Sequence, residues 1–381
     1  MYISNLMLCR WITSTLMALA LLNADAFGQR PPDLKLNPDA NRQVVEGVIK
    51  AINKYYVSAE IARKLDEDLR QRLKNGEYDK ITSAFDLIDA LDNHLQAVSK
   101  DKHLALAYSH LPEPLNKDKD FNPETSKEKE EELIAARAKN FGFERVERLP
   151  GNIGYLEMNS FVRPEFSGEM ARASMSFLAN TDALIIDLRR SQGGAADMVL
   201  FLASYFFDEE PFHLGDWYVR AENRVQQWWT LPYVPGNRYL NRDVYILLSR
   251  RSFSAVEGLS SILKHHKRAV IVGEPTRGGT HPGRFVRVHP NFAAFIPMSW
   301  FIYPTGTPAF PIDRPVYPTT KTDYEGTGVM PDIGVPAMQA LTKAHLEALN
   351  KKLERDPGQK ERLELIIQGL KKELEAITRK P

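Results

Sequence analysis

Residues 251–258 read RSFSAVEG and follow the apolar run VYILLS at 244–249. Such a run reads as a buried strand. It stops at serines, an alanine and a glutamate before GLSSIL resumes an apolar pattern. A strand-to-helix corner of small residues can expose a serine hydroxyl beside the free N–H groups and positive dipole end of a helix. That setting suits a nucleophile, and it also suits a serine that caps a helix. Ser252 and Ser254 qualify for either role, whereas Ser260 and Ser261 fall within the apolar stripe and read as helix packing.

Three other stretches could complete such chemistry. In ALIIDLRRSQGGAAD (183–197) a strand runs into Gly193-Gly194, which opens a helix. Adjacent glycines let backbone N–H groups converge on a phosphate, a carboxylate or the oxyanion of acyl transfer. They also suit a plain turn. No GxxxxGK[ST] or GxGxxG pattern accompanies them, so nucleotide binding has weak support. DKHLAL at 101–106 offers His103 as a base, although a lone histidine is as readily structural. His265 and His266, beside Lys267 and Arg268, read as a solvated helix end. In YEGTGVMPDIGV (324–335) Glu325 precedes a glycine-rich turn, as an acid that orients a base or as an exposed turn carboxylate. No HExxH motif or metal-ligand cluster is present, so neither a metal nor an organic cofactor is expected. A serine nucleophile, a histidine base and an orienting acid is the constellation these residues permit.

The elements that must position them read as follows. Between 38 and 110, VVEGVIKAINKYYV, AEIARKLDEDLRQRLKNG and AFDLIDALDNHLQAV carry apolar residues at helical spacing, and KDKHLALAYS then alternates like a strand. From 111 to 140 the chain is rich in charge and poor in large apolar residues, which predicts a linker with one exposed helix. From 141 to 336 short apolar strands at 153–158, 183–188, 244–249 and 269–274 alternate with helical patterns at 197–207 and 255–266. Continuous apolar strands are buried on both faces, as in a parallel sheet, and the alternation gives an α/β core. Residues 337–381 predict two helices broken at Asp356-Pro357-Gly358, a helical extension whose leucine stripe offers packing or self-association into a homo-oligomer.

The chain has 381 residues, 43% of them hydrophobic, and a formal net charge of +1. Sizeable cores can form, and the charge balance argues against a nucleic-acid partner or a polybasic membrane binder. Arg10, the apolar run WITSTLMALALL and the Ala24/Ala26 pair have the order of a secretory signal peptide spanning 1–26, with an uncleaved anchor as the alternative. The expected mature protein is exported, periplasmic or extracellular, with no integral membrane segment after cleavage. Cys9 is the only cysteine and lies in that leader, so thiol proteases and disulfide frameworks are excluded.

Taken together, IGYLEMNSF, ALIIDLRRSQGG, SRRSFSAVEGLSSILKHHKRAVIVGEPTRGG and GTGVMPDIGV occur in the order seen in the tail-specific, or carboxy-terminal processing, serine proteases, which the chain resembles from Asp101 to Pro336. The preceding helical stretch looks closest to the branch containing the interphotoreceptor retinoid-binding protein repeats and the tricorn core protease. The resemblance implies a crotonase-like (ClpP/crotonase) catalytic core, with Ser254 as nucleophile. Gly193, Gly194 and Ala255 would form the oxyanion hole, and Gly279 and His281 would line the substrate site. Relatives with a Ser–Lys dyad carry a lysine after GEPT, where this chain reads Arg277-Gly278-Gly279. The implied base is therefore His103, from a D-x-H segment, and Glu325 would orient it. In tricorn a serine beside the histidine mediates that relay, and here the neighbour is Lys102. The segment before Gly151 is too short and too charged for a PDZ module. The implied activity is an endopeptidase acting on unstructured polypeptides. The alternative in the same family is a non-catalytic carrier of apolar, retinoid- or fatty-acid-like ligands, for which WYV (217–219), QQWWTLPY (226–233) and SWFIYP (299–304) supply aromatics.

Overall fold

The computed structural model describes residues 31–112, 126–304 and 324–379. The leader with Cys9, and residues 113–125 of the charged stretch, lie outside the described residues. In chain order the elements are α1 (Pro38–Tyr55), α2 (Ala59–Lys74), α3 (Ala84–Ser99), β1 (Ala105–Tyr108), α4 (Ser126–Ala138), β2 (Phe143–Leu149), β3 (Ile153–Met158), α5 (Pro164–Leu178), β4 (Ala183–Asp187) and α6 (Ala196–Ser204). There follow β5 (His213–Val219), β6 (Arg224–Trp229), β7 (Asp243–Leu248), α7 (Ala255–His265), β8 (Val270–Gly273), β9 (Gly283–His289), β10 (Phe292–Pro297), β11 (Ser299–Ile302), β12 (Ile333–Gly334), α8 (Ala340–Arg355) and α9 (Lys360–Thr378). The chain forms two compact units, one comprising residues up to 134 together with 283–298, the other comprising 135–282 and 299 onward.

The first unit is mainly helical. Its helices begin where the local chemistry directs. Asn37 caps α1, accepting the Ala40 N–H at 2.8 Å ahead of Pro38, and Ser58 and Ser83 cap α2 and α3. Val44, Val48 and Ile52 of α1, Leu65 and Leu69 of α2, and Leu87, Leu91 and Leu95 of α3 form the buried stripes. The helices pack with an antiparallel sheet in the order β1-β10-β9. A Cβ on Gly47 would stand 2.2 Å from the Val288 carbonyl oxygen, so α1 meets β9 backbone to backbone. The expected strand over 100–109 is confined to Ala105–Tyr108. Lys100 ends α3 with φ +59°, and the Asp101 carboxylate then accepts the His103 N–H at 3.0 Å, closing a turn.

The second unit is built on a six-stranded sheet of order β12-β8-β7-β4-β3-β2. All its pairings are parallel except β2 with β3. Consecutive parallel strands step across the sheet in one direction, so right-handed crossovers put α5, α6 and α7 on one face. Leu156, Leu184, Ile186, Ile246 and Leu248 point into the core beneath them. Tyr155, Ile185, Tyr245 and Leu247 point the other way, where α8 and α9 contribute Leu346, Leu349, Leu363 and Ile367. Both faces of β4 are thus buried, as its uninterrupted apolar sequence requires. The leucine stripe of 337–381 is largely spent on the unit's own sheet. A three-stranded antiparallel sheet of order β11-β5-β6 completes this unit. The architecture is mixed α/β with a helical N-terminal region. Among the described residues no helix is long and apolar enough to cross a membrane.

Candidate active site

The chemistry-bearing segments of the second unit leave the C-terminal ends of neighbouring parallel strands, where open α/β sheets gather their sites. Phe161 follows β3, Gly193-Gly194 follow β4, Ser254 follows β7, and 276–281 follow β8. Ser254 is the last residue before α7 and has φ 59° and ψ −121°. A non-glycine residue there stores about 1–3 kcal/mol of backbone strain. Ser252, the other candidate at this corner, is fully buried. Its hydroxyl donates to the Leu188 carbonyl at 2.9 Å and accepts the Ser249 N–H at 3.0 Å. Ser252 ties the end of β7 to the end of β4, and Ser254 is the serine presented beyond it.

Glu257 holds that turn. Oε2 accepts the Ser254 N–H at 2.7 Å and the Gly279 N–H at 3.0 Å; Oε1 accepts the Gly278 N–H at 2.7 Å and the Thr276 hydroxyl. One carboxylate therefore binds the serine corner to the segment that follows β8. Burial pushes the Glu257 pKa above the usual carboxylate range, against the four hydrogen bonds that favour its ionised form. The S-x-x-E spacing of a capping box, which went unread, could have signalled the bond to Ser254. Nothing in the sequence announced the bonds to 276–279.

Gly193 packs against the same corner, and Gly194 beside it packs against the Phe161 backbone. A Cβ on Gly193, at φ +94°, would stand 2.7 Å from the Ala255 nitrogen and 2.9 Å from the Ser254 Cβ. Gly194 is pinned through its neighbours: the Phe161 N–H donates to the Gly193 carbonyl at 2.9 Å, and the Ala195 N–H donates to the Phe161 carbonyl at 2.7 Å. The Gly193 N–H reaches the Ser191 hydroxyl at 3.4 Å. The N–H groups of Gly194 and Ala255 meet no acceptor among the described residues. Two unspent donors beside a hydroxyl can stabilise negative charge developing on a substrate oxygen.

Glu325 lies ahead of the turn Gly326–Gly328, which packs on the 276–278 backbone. Its Oε2 accepts the Thr280 N–H at 2.7 Å and sits 3.6 Å from His281 Nδ1. Both side chains are nearly buried, and the His281 ring stands edge-on to the Trp300 indole, 6.2 Å between centroids. Expected in the substrate site, Gly279 and His281 are thus built into the Glu257 and Glu325 networks. The His281–Glu325 pairing went unread because 45 residues separate Thr280 from Glu325. His103 belongs to the first unit. Its turn is fixed by Asp101, whose other carboxylate oxygen accepts the Tyr56 hydroxyl at 3.1 Å, and its ring stacks on Phe295 at 5.7 Å. The D-x-H spacing is therefore a structural device: the aspartate orders the backbone that carries the imidazole.

Residues 152–335 match the sequence profile of peptidase family S41, and residues 37–141 match the N-terminal domain of Peptidase_S41 in eukaryotic IRBP. A carboxy-terminal-processing protease of Bartonella bacilliformis is 24% identical over 192 residues, covering 49% of this chain and 40% of that protein. The chain thus matches two-fifths of that relative's length. The structure of a lipoprotein from Streptococcus agalactiae is alike in fold, with a TM-score of 0.52 at 12% identity over 84% of this chain and 100% of that one. The tricorn protease gives 0.47 at 12% identity over 88% of this chain and 37% of that one.

Proposed function

Since the chain belongs to peptidase family S41, with the N-terminal domain that the family carries in IRBP, we propose that it is a serine endopeptidase acting on unstructured polypeptides. The observation that carries this reading is the Ser254 corner: a serine at positive φ, with Gly193 packed on its Cβ and two unspent N–H donors alongside.

In the proposed reaction Ser254 Oγ attacks a peptide carbonyl carbon and its proton passes to His103. The N–H groups of Ala255 and the Gly193-Gly194 turn bind the oxyanion. The imidazolium returns the proton to the leaving amine as the C–N bond breaks. Water, deprotonated by the same imidazole, then frees the acyl group from Ser254. The D-x-H match to the resembled proteases supports His103 as base. Glu325 supplies the charge that favours imidazolium.

The core is proposed to be crotonase-like, a reading supported by one-sided crossover helices and a site at the strand C-termini. The division into helical domain (30–110), linker (111–140), peptidase core (141–336) and helical extension (337–381) belongs to the same proposal. So do export directed by the leader and self-association through α9, whose Leu365 is 75% exposed.

A fluorophosphonate probe tests the central claim. Wild-type protein should be labelled on the peptide containing Ser254, and Ser254→Ala should not. An unlabelled but folded wild type would favour a carrier of apolar ligands, the reading that the IRBP-type domain keeps in view.

A further inference from the structure

The sheet β11-β5-β6 has two unlike faces. Trp217, Trp228 and Phe301 point inward and pack together, with ring centroids 4.9–5.9 Å apart, against the main core. The outward face carries Trp300 on β11, Tyr218 on β5 and Val225 on β6. Trp300 is registered opposite Tyr218, and Tyr218 opposite Val225, so the three form one row across the sheet. The Trp300 and Tyr218 rings are stacked, 14° between planes at 6.0 Å, and Val225 is 53% exposed.

One end of this row reaches the candidate site. Trp300 stands against His281, whose Nδ1 faces Glu325. Two residues earlier, the Gly279 N–H shares the Glu257 oxygen that holds the Ser254 N–H. A half-buried aromatic row thus runs outward from the segment that braces the proposed nucleophile. An aromatic stack already ordered by its neighbours accepts an apolar side chain beside it at small entropic cost.

We propose that Trp300 and Tyr218 form a side-chain subsite that takes an aromatic or large apolar residue of an extended polypeptide, with Trp300 as the specificity-determining residue. The proposal rests on the peptidase reading and adds the class of substrate. Discrimination of one large apolar side chain from alanine in a one-sided subsite is worth about tenfold or more.

Quenched-fluorescence peptides identical except for Ala, Leu, Phe or Trp at one position, walked along the peptide, provide the test. Wild type should prefer Phe or Trp over Ala by about tenfold in kcat/KM at one position, through KM more than kcat. Trp300→Ala should reduce that ratio to within about twofold. Trp300→Phe, which keeps a ring, should retain it, and Tyr218→Ala should weaken it. Binding of the Phe and Ala peptides to Ser254→Ala, followed by anisotropy, should show the same order without turnover. Indifference of wild type to the varied residue, or an intact preference in Trp300→Ala, overturns the subsite. Absence of cleavage by wild type, with Ser254→Ala still binding the Phe peptide more tightly, removes the hydrolytic reading and leaves the subsite standing.

Discussion

Ser254 and Ser252 are two residues apart at one corner, and sequence could not separate them, because capping and nucleophilic serines ask for the same neighbours. The Ser252 hydroxyl is spent between the Leu188 carbonyl and the Ser249 N–H, which leaves Ser254 as the candidate nucleophile. Ser254→Ala should lower turnover by roughly six orders of magnitude while leaving the melting temperature nearly unchanged, since no packing is lost. Gly193→Ala should be as informative: its methyl would press on the Ala255 nitrogen and Ser254 Cβ at a φ that alanine resists. Loss of a working oxyanion donor should cost about 10²–10³ in kcat, with KM little altered. Both are checked by steady-state kinetics beside thermal unfolding. The base is decided by pH. An imidazole must be neutral to take the serine proton, so a histidine base gives a kcat/KM profile that rises from acid towards neutral pH. His103→Ala should abolish that limb with nearly all activity, and His281→Ala should keep the limb at reduced height. The opposite pattern would move the role of base from His103 to His281.

The helices of the first unit and the parallel strands of the second were legible because each follows from one periodicity in one stretch of chain. The 153–158 run became β3, and the periodic segments of 84–98 became α3. The accessory strands were not read. In HLGDWYV, RVQQWW and SWFI the polar–apolar alternation is blurred because aromatics sit on both faces; β1 was expected, but not its pairing with β10, far along the chain. The contact between α3 and β1 carries a testable charge. Asp92 of α3 accepts the Leu106 N–H at 2.8 Å, and burial pushes its pKa up to about 6. The native state thus binds this proton more readily than the unfolded chain, whose aspartates titrate near 3.9. The associated stability is complete below about pH 4 and is lost as pH rises to about 6. Asp92→Asn, which keeps an acceptor oxygen, should therefore stabilise the protein at pH 7 by up to about 3 kcal/mol, with no gain at pH 3.5. Urea unfolding at the two pH values measures it.

Across the whole molecule, the sheet of the second unit depends on residues at the far end of the chain. Leu349 of α8 is fully buried, and its Cδ2 occupies the place of a side chain on Gly151. Leu349→Ala should cost about 2–5 kcal/mol by urea denaturation, and ending the chain at Pro336 should give a product that binds hydrophobic dyes. The order of synthesis has a further consequence. The middle strand of the first unit's sheet, β10, pairs Phe292 with Tyr108, yet the two are made far apart in time. At about 5–20 residues per second, a growing chain carries β1 unpaired for roughly 10–40 s before its partner emerges. The second unit's central strands are all made within that interval. The part of the protein that begins first is thus obliged to finish late, and a nascent chain halted before residue 292 would present β1 as an open edge to any neighbouring strand.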